Sequence, residues 1–541
     1  MLIASAGDTV IVECGTYYEH DIAVPPGVFL KSETGDPACV TIDGLGLGTV
    51  FLCSPGGAGG SFEGLTITGG NGDYGGGMRC WSTSPSLSHV VFASNSALGG
   101  GAVSISGGAA PVLTDVVFER NSARDGGAMT CDGHATSPVL IDCVFTGNEA
   151  ARYGGGMDCF DFATPGLTNT LFDGNTAADH GGGIYCDMAA APGLSGVVFV
   201  GDSATKGGGM MCEDHWVGRA DADGAVLGGD SSREDPAHRR ARSPGREEPR
   251  PTLTDCVFSG NDAREGGGMR CRWGYAPCLT GCEFAGNTAT FGGGLMVDAD
   301  AHLTAGDCTF SENVADNGGA LVLWDSSAEI SGCTFVGNTG GWVGAMHVSG
   351  DAAAVTLDDC LFVENEDCAL VCELLAPVVG TGLTFVRNGG GVACHLASPS
   401  FANVTFHGNG GDPACVNCDL ESPPTFVNTI ISGTSPGHAV ECHDESLPTF
   451  VCCDLFGNAG GDWTPCIEDQ AEVNGNFSAD PLFCDAALGD LTLCEDSPCL
   501  LGNHPTGSDC GLIGACGQGC GPCGPSAVEA ASWGSIKAVF R

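Results

Sequence analysis

A phenylalanine returns along this chain at near-constant intervals: Phe92, Phe118, Phe145, Phe172, Phe199, Phe258, Phe284, Phe310, Phe335 and Phe362, then Phe385 and Phe406. Successive steps are 25–27 residues, except for one of 59 between Phe199 and Phe258 and the last two, of 23 and 21. Three residues after these phenylalanines stand Asn95, Asn121, Asn148, Asn175, Asn261, Asn287, Asn313, Asn338 and Asn365, then Asn388 and Asn409, with Asp202 as the one exception. A glycine triplet follows at 75–77, 99–101, 154–156, 181–183, 207–209, 266–268 and 292–294, replaced by Gly-Gly-Ala at 126–128 and 318–320. A unit this short cannot bury an apolar face alone. Only a stack in which neighbouring units cover one another accounts for the period.

Each unit reads as a short apolar strand, F-x-x-N, a polar turn, the glycines, a second apolar strand, a cysteine, a loop and a proline. Runs such as Val116-Val117-Phe118 are too short for helices and are bounded by turn residues. In a coil of parallel strands, equivalent residues lie ~4.8 Å apart. Inward phenylalanines then stack into an apolar ladder. Inward asparagines bond the next turn's backbone and the next asparagine, and glycines supply tight corners. These repeated residues are structural.

Composition narrows the class. Glycine is 89 of 541 residues but clustered, which excludes collagen. Hydrophobic residues make up 43% and recur at fixed places, which argues against disorder. The net charge of −47 disfavours nucleic acid as a partner. No apolar run is long enough for a transmembrane span. The 32 cysteines point to an oxidising compartment. The opening MLIASAGDTVIVECGTYYE has no signal-peptide pattern, so the expectation is a truncated start with the export signal upstream.

Two family patterns overlap here. F-x-x-N with Gly-Gly-Ala/Gly resembles the repeat of the polymorphic outer-membrane protein family. The segment Gly7-Asp8-Thr9-Val10-Ile11-Val12-Glu13-Cys14-Gly15-Thr16-Tyr17-Tyr18-Glu19, with Val40-Thr41-Ile42-Asp43-Gly44, is similar to the first turns of secreted pectin-lyase-like β-helix proteins. Asp480-Pro481-Leu482-Phe483, Asp490-Leu491-Thr492-Leu493, Ser497-Pro498-Cys499 and Gly511-Leu512-Ile513-Gly514-Ala515 resemble their closing turns. The resemblance implies an all-β, single-stranded right-handed parallel β-helix of roughly 26 residues per rung and about a dozen rungs, with a Cys-rich C-terminal cap. It also implies extracellular or cell-surface (outer-membrane) placement and adhesion. The family's C-terminal membrane β-barrel has no matching pattern of alternating strands here. The expected role is a non-catalytic exported scaffold binding a surface protein or polysaccharide as a monomer. A polysaccharide lyase or glycoside hydrolase, and a structural envelope protein, are the alternatives.

The organisation expected is an N-terminal cap and first rungs over 1–61, the main array over 62–430, degenerate rungs and cap over 431–523 and a tail over 524–541. Phe426, Phe450 and Phe456 mark the imperfect rungs. The long step reflects an insertion at 213–250, charged and without apolar period, which reads as a disordered loop. Its run Arg239-Arg240-Ala241-Arg242 could dock a polyanion, although a solvated tip is the simpler reading.

Cysteines fill two repeat columns: Cys80, Cys131, Cys159, Cys186, Cys212 and Cys271 after the glycines, and Cys143, Cys256, Cys282, Cys308, Cys333 and Cys360 before the phenylalanines. They are either buried thiols or disulfides, within a rung (Cys131 with Cys143, Cys271 with Cys282) or between rungs. Disulfides are expected among Cys442, Cys452, Cys453, Cys466, Cys484, Cys494, Cys499, Cys510, Cys516, Cys520 and Cys523. Cys520-Gly521-Pro522-Cys523 has redox-motif spacing but reads as a structural disulfide outside an α/β fold. Cys415-Val416-Asn417-Cys418 lacks a second zinc pair. The Asp358-Asp359 pair is a repeat feature, because the slot of Asp359 also holds Asp115, Asp142, Asn169, Asp255 and Asp307, with Gly196, Gly281 and Gly332 elsewhere. A slot shared by many rungs is a turn position, not one active site. That Asp column and Gly69-Gly70-Asn71-Gly72-Asp73 are the places where calcium could collect; no cofactor is expected. His89, His134, His180, His215 and His347 show no metal-ligand spacing. No convergent catalytic set emerges.

Overall fold

The computed structural model describes residues 4–53, 59–214, 249–351, 354–411 and 414–523. The chain winds as a right-handed parallel β-helix of about 15 turns. One turn shows the plan: Val139–Ile141, a kink, Val144–Thr146, a bend at Asn148, then Glu149–Tyr153, a glycine corner, and Met157–Phe160. Each segment pairs in parallel with its counterpart one turn on, Phe118 with Phe145 and Phe145 with Phe172. The array exceeds the dozen phenylalanine rungs because other residues fill that column at both ends. Ile67 occupies it before Phe92, and Ile431 and Leu455 after Phe406.

The kinks explain the aspartate column. Asp142 has φ 54° and Gly147, just beyond Phe145, has φ 59°. Asp115, Asn169, Gly196, Asp255, Gly281, Asp307, Gly332 and Asp359 share the first left-handed position. Glycine, asparagine and aspartate tolerate that conformation best. The column is therefore a backbone requirement, and Asp359 belongs to it, while Asp358 ends the strand before it.

Inside, the phenylalanine rings are fully buried and nearly parallel, 4.5 to 5.4 Å between centroids from Phe92 through Phe406. Phe199 and Phe258 stand 4.6 Å apart and pair in register, so the ladder is continuous across the long step. Of the 213–250 insertion, expected to be a disordered loop, residues 215–248 lie outside the described residues, as does the tail 524–541, while Glu213 at its start is buried. Phe426 and Phe450 are not displaced members of this ladder. They pair with Phe401 in the neighbouring column, whereas Phe456 pairs with Ser432. The rungs near the C-terminal end exchange residue types between columns rather than losing register.

Each ladder asparagine uses its whole amide. In Asn121, Nδ2 donates to Phe92 O (2.9 Å) and to Asn148 Oδ1 (3.0 Å). Its Oδ1 accepts from the Asn95 backbone N–H (3.0 Å) and Asn95 Nδ2 (3.1 Å). The pattern continues to Asn388, whose Nδ2 reaches Asn409 Oδ1; Asn409 Nδ2 donates to the Phe385 carbonyl, and on the next turn the Thr434 backbone N–H donates to Asn458 Oδ1. At Asp202, Oδ1 accepts from Asn175 N (2.7 Å) and Nδ2 (2.9 Å), while Oδ2 is buried with no donor among the described residues. Burial pushes this carboxyl well above the usual range.

The cysteine columns are stacks of thiols. None of the twelve is bonded, and neither Cys131–Cys143 nor Cys271–Cys282 forms. Register sets Cys131 against Cys159 and Cys212 against Cys271, like upon like in separate columns, with side chains pointing the same way. That geometry strains a bridge. Burial pushes the Cys186 and Cys212 thiols well above their ordinary range. The bonds lie at the ends: Cys14–Cys39, Cys442–Cys466, Cys452–Cys510, Cys484–Cys520 and Cys494–Cys523. Three candidates stay thiols. Cys453 donates to the Phe426 and Val451 carbonyls, Cys499 donates to the Asp454 carboxylate, and Cys516 lies beside Thr384. Cys520 and Cys523 bond to Cys484 and Cys494, not to each other, because the Gly-Pro turn aims them at a facing hairpin.

The cap has two parts. Trp463 and Ile467 plug the core's end, with Trp463 edge-on to Phe450 at 6.2 Å. The chain then runs back along the side of the solenoid, where Leu491 packs on Val363 and Val386 and the Ala515 N–H donates to Thr405 Oγ1.

Asp202 yields a test with a defined sign. Its folded pKa is raised, so its contribution is complete below the unfolded carboxylate range and is lost as pH rises toward the folded value. Asp202→Asn restores the missing donor. Thermal unfolding should show a gain of about 1–3 kcal/mol near pH 7 that shrinks toward about pH 4. Equal stability of the two proteins at both pH values would contradict this.

Candidate functional site

The glycine corner shapes the outer surface as well as the core. At Gly155, an added Cβ would fall 2.3 Å from the Gly182 carbonyl of the next turn, and Gly154 has φ 62°. Side chains there would block the stacking, so the corner is bare backbone. The strands on either side turn their outward residues toward each other across it.

One wall is the column Tyr74, Gly99, Asp125, Tyr153, His180, Lys206, Glu265, Phe291 and Asn317, one residue per turn. The other, five residues later in each turn, is Arg79, Ser104, Thr130, Asp158, Tyr185, Met211, Arg270, Met296, Val322 and His347. Contacts across the corner join the two walls along a lateral groove and bury the second wall from Ser104 to His347. The Tyr153 and Tyr185 rings stack at 4.8 Å, Phe291 meets Trp324 at 5.0 Å, and His347 Nδ1 lies 2.8 Å from Asn317 Oδ1. At the N-terminal end the groove opens into a cavity of about 610 Å³ lined by Asn71, Asp73, Tyr74 and Arg79. The glycine-rich 69–73 segment thus runs into a groove-lining strand, Asn71–Tyr74.

The charged centre of the groove breaks the repeat. Arg270 is buried and pairs with Glu265, and its Nη2 lies 2.5 Å from Asp298 Oδ2. Burial alone would lower the Arg270 pKa, but Asp298 and Glu265 outweigh it and raise it. Arg272 stacks its guanidinium 3.6 Å over Trp273 and is lowered by burial. Lys206 is lowered by burial and then by Arg270. On the next turns toward the N-terminus, Tyr185 Oη donates to Glu213 Oε1 at 2.9 Å and His180 Nδ1 lies 2.7 Å from the same oxygen. Burial pushes Tyr185 and Asp158 well above their usual ranges.

Toward the C-terminal end lies an aromatic stretch. Trp342 is 41% exposed, with His347 5.6 Å and His395 5.5 Å from its ring. His347 Nε2 reaches Glu373 at 2.9 Å, and His395 Nδ1 lies 3.7 Å from Asp419.

None of the ladder residues singled out from the sequence enters this groove; Phe92 to Phe362 and Asn95 to Asn365 are all interior. His180 and His347 do enter it. His89 lies beside Asp115, His134 stacks on Phe162, and His215 is outside the described residues. Cys415 and Cys418 are buried in one strand, Cys418 paired with Cys394, and form no metal knuckle. The convergent set Lys206, Glu213, Glu265, Arg270, Arg272 and Asp298 escaped the sequence reading. A signal existed in Gly-Gly-Gly-Met-Arg-Cys-Arg-Trp at 266–273. With Met269 and Cys271 inward, alternation sends both arginines outward.

The family models agree with the architecture. Residues 245–374 match the family model for a right handed beta helix region, and residues 169–187 match the Chlamydia polymorphic membrane protein repeat. No curated protein matches the chain. Solved structures similar to it include a mannuronic acid specific polysaccharide family 6 lyase from human gut microbiota, 10% identical with TM-score 0.24, covering 88% of this chain and 86% of that one. Another is the PL6 family alginate lyase AlyGC, 10% identical with TM-score 0.18, covering 85% of this chain and 97% of that one.

Arg270 is the keystone of the charged centre. Arg270→Met leaves Glu265 and Asp298 facing each other without their shared cation. The expected loss is about 2–3 kcal/mol, below the usual figure for fully enclosed pairs because both carboxylates keep some solvent access. Hydrogen exchange over 204–214 and 262–300 reads it; unchanged protection there would show that the pair contributes nothing.

Proposed function

We propose that this protein is a surface-displayed β-helix that binds an extended glycan along the glycine-corner groove without cleaving it. The observation that carries this is the exposed Trp342 ring, set edge-on against buried His347 and tilted against His395, beside Glu373 and Asp419. Aromatic faces take the C–H faces of sugars, while planar carboxylates and ring nitrogens take hydroxyls. Turns repeat every ~4.8 Å, close to the advance of one sugar in an extended strand, so successive units meet equivalent positions. Display at the cell surface is supported by the polymorphic membrane protein repeat and by the disulfides at both ends. Absence of catalysis is supported by Arg270, which is committed to two carboxylates.

Lys206 supports a second reading. It is half-buried in the same groove, its proton affinity lowered by burial and by Arg270, which suits a base that removes a proton beside a carboxylate-bearing sugar. The groove would then belong to a lyase.

One experiment separates the two. The protein is screened against neutral and uronate polysaccharides for retention, and the same mixtures are followed for unsaturated sugar ends. Binding with no new ends is expected, and Trp342→Ala should weaken it about tenfold, the loss of one aromatic contact of ~1.4 kcal/mol. Accumulation of unsaturated ends that Lys206→Met abolishes would replace the binding role with catalysis.

A further inference from the structure

The segment that runs back along the solenoid is pinned by four cysteines. Phe483–Asp485 and Asp490–Leu493 form an antiparallel hairpin, with Phe483 opposite Leu493, and set Cys484 and Cys494 near its open end. Facing them, Cys520-Gly521-Pro522-Cys523 makes a tight turn, held by the Glu495 N–H to Gly521 O (3.2 Å) and the Cys523 N–H to Asp496 Oδ1 (3.1 Å). The two disulfides, Cys484–Cys520 and Cys494–Cys523, are not independent. Cys520 Sγ lies 3.5 Å from Cys494 Sγ, and the sulfurs of Cys484, Cys494 and Cys520 all fall within 4.8 Å of one another. Cys523 is bonded within that group.

Three sulfurs so placed, with the fourth bonded to one of them, can supply the four ligands of a tetrahedral metal. Zinc–sulfur bonds of ~2.3 Å put thiolates about 3.8 Å apart. Two cysteines on a C-x2-C turn and two on a facing hairpin are the arrangement structural zinc sites use. Opening each disulfide requires its sulfurs to part by under about 2 Å, within the reach of side-chain rotation. Cys484, Cys520 and Cys523 are partly exposed, so metal and reductant can reach them, whereas the column cysteines are sealed in the core.

We propose that Cys484, Cys494, Cys520 and Cys523 form a four-thiolate zinc site that alternates with the disulfide pair, so the same four sulfurs lock the strap to the solenoid in either redox state. In the forward direction, two equivalents of a dithiol reductant deliver four electrons and four protons to the two S–S bonds, giving four thiols and two oxidised reductant disulfides. One Zn2+ then binds the four sulfurs as thiolates, and the four protons leave to solvent. In reverse, two equivalents of a disulfide oxidant take up the four electrons and, with four protons from solvent, become dithiols, while the two S–S bonds re-form and Zn2+ leaves. The strap stays pinned throughout, and with it the cover that Leu491 makes over Val363 and Val386.

The test uses the full chain, reduced anaerobically with a dithiol and titrated with Zn2+ or Co2+. One tight Co2+ per chain is expected, with the visible bands of tetrahedral coordination and the ultraviolet absorption of four thiolates. Alkylation followed by mass mapping reads the ligands without any substitution. With Zn2+ present, these four cysteines should be modified about tenfold or more slowly as a set, and a chelator should restore the rate. Cys520→Ser should lose the four-thiolate spectrum, whereas Cys14→Ser keeps it. Equal labelling with and without Zn2+, or a cobalt spectrum unchanged in Cys520→Ser, would overturn the site and leave the glycan-binding role untouched.

Discussion

The side-chain amide of each inward asparagine is saturated by its two neighbours, and the solenoid depends on that bond. A turn of chain that bends must release backbone groups from strand pairing, and a buried unpaired group costs about 1–3 kcal/mol. Asn148 shows the solution, with Nδ2 on the Phe118 carbonyl and on Asn175 Oδ1. The contact works only if the next turn presents the same residue at the same height. It therefore enforces the period, and the stacked phenylalanines follow. The interruption between Phe199 and Phe258 is tolerated because the ladder closes directly across it, from Asp202 N–H to Asn261 Oδ1 at 2.9 Å.

The glycine corner follows from the same demand. Stacked turns bring the Gly155 Cα close to the Gly182 carbonyl, so no side chain fits. A corner with no side chains is a groove floor, and the residues flanking it need not be the same from turn to turn. Variation concentrates there: Ser104 and Thr130 give way to Tyr185, Arg270 and His347 in the same column. The scaffold repeats and the groove does not, which is how a repetitive fold carries a particular site.

The fold was legible because its determinants repeat. Phenylalanine, asparagine and the aspartate turn position each announce themselves many times, and no single substitution hides them. The groove was harder to read because its residues are singular. Arg270 and Asp298 are 28 positions apart and meet only through the rung register. Alternation around Met269 and Cys271 was sufficient to send Arg270 outward, but nothing in the sequence showed that Glu265 stands across the corner. The disulfides resisted for a similar reason. Cysteine density marked the cap, yet pairing depends on the strap running back along the solenoid, which leaves Cys453, Cys499 and Cys516 facing other partners.

The asparagine ladder is tested most directly by native-state hydrogen exchange at the turn residues themselves. Turn amides ordinarily exchange fast, but here the N–H of Asn121, Asn148, Asn287 and Asn313 each donates to the next side-chain oxygen at 3.0 to 3.1 Å. The account predicts that these amides are protected as strongly as those of the adjacent strands, along the whole run from Asn95 to Asn388. Exchange at the rate of an open turn would mean that the asparagines merely fill corners, and that the phenylalanine stack alone sets the period.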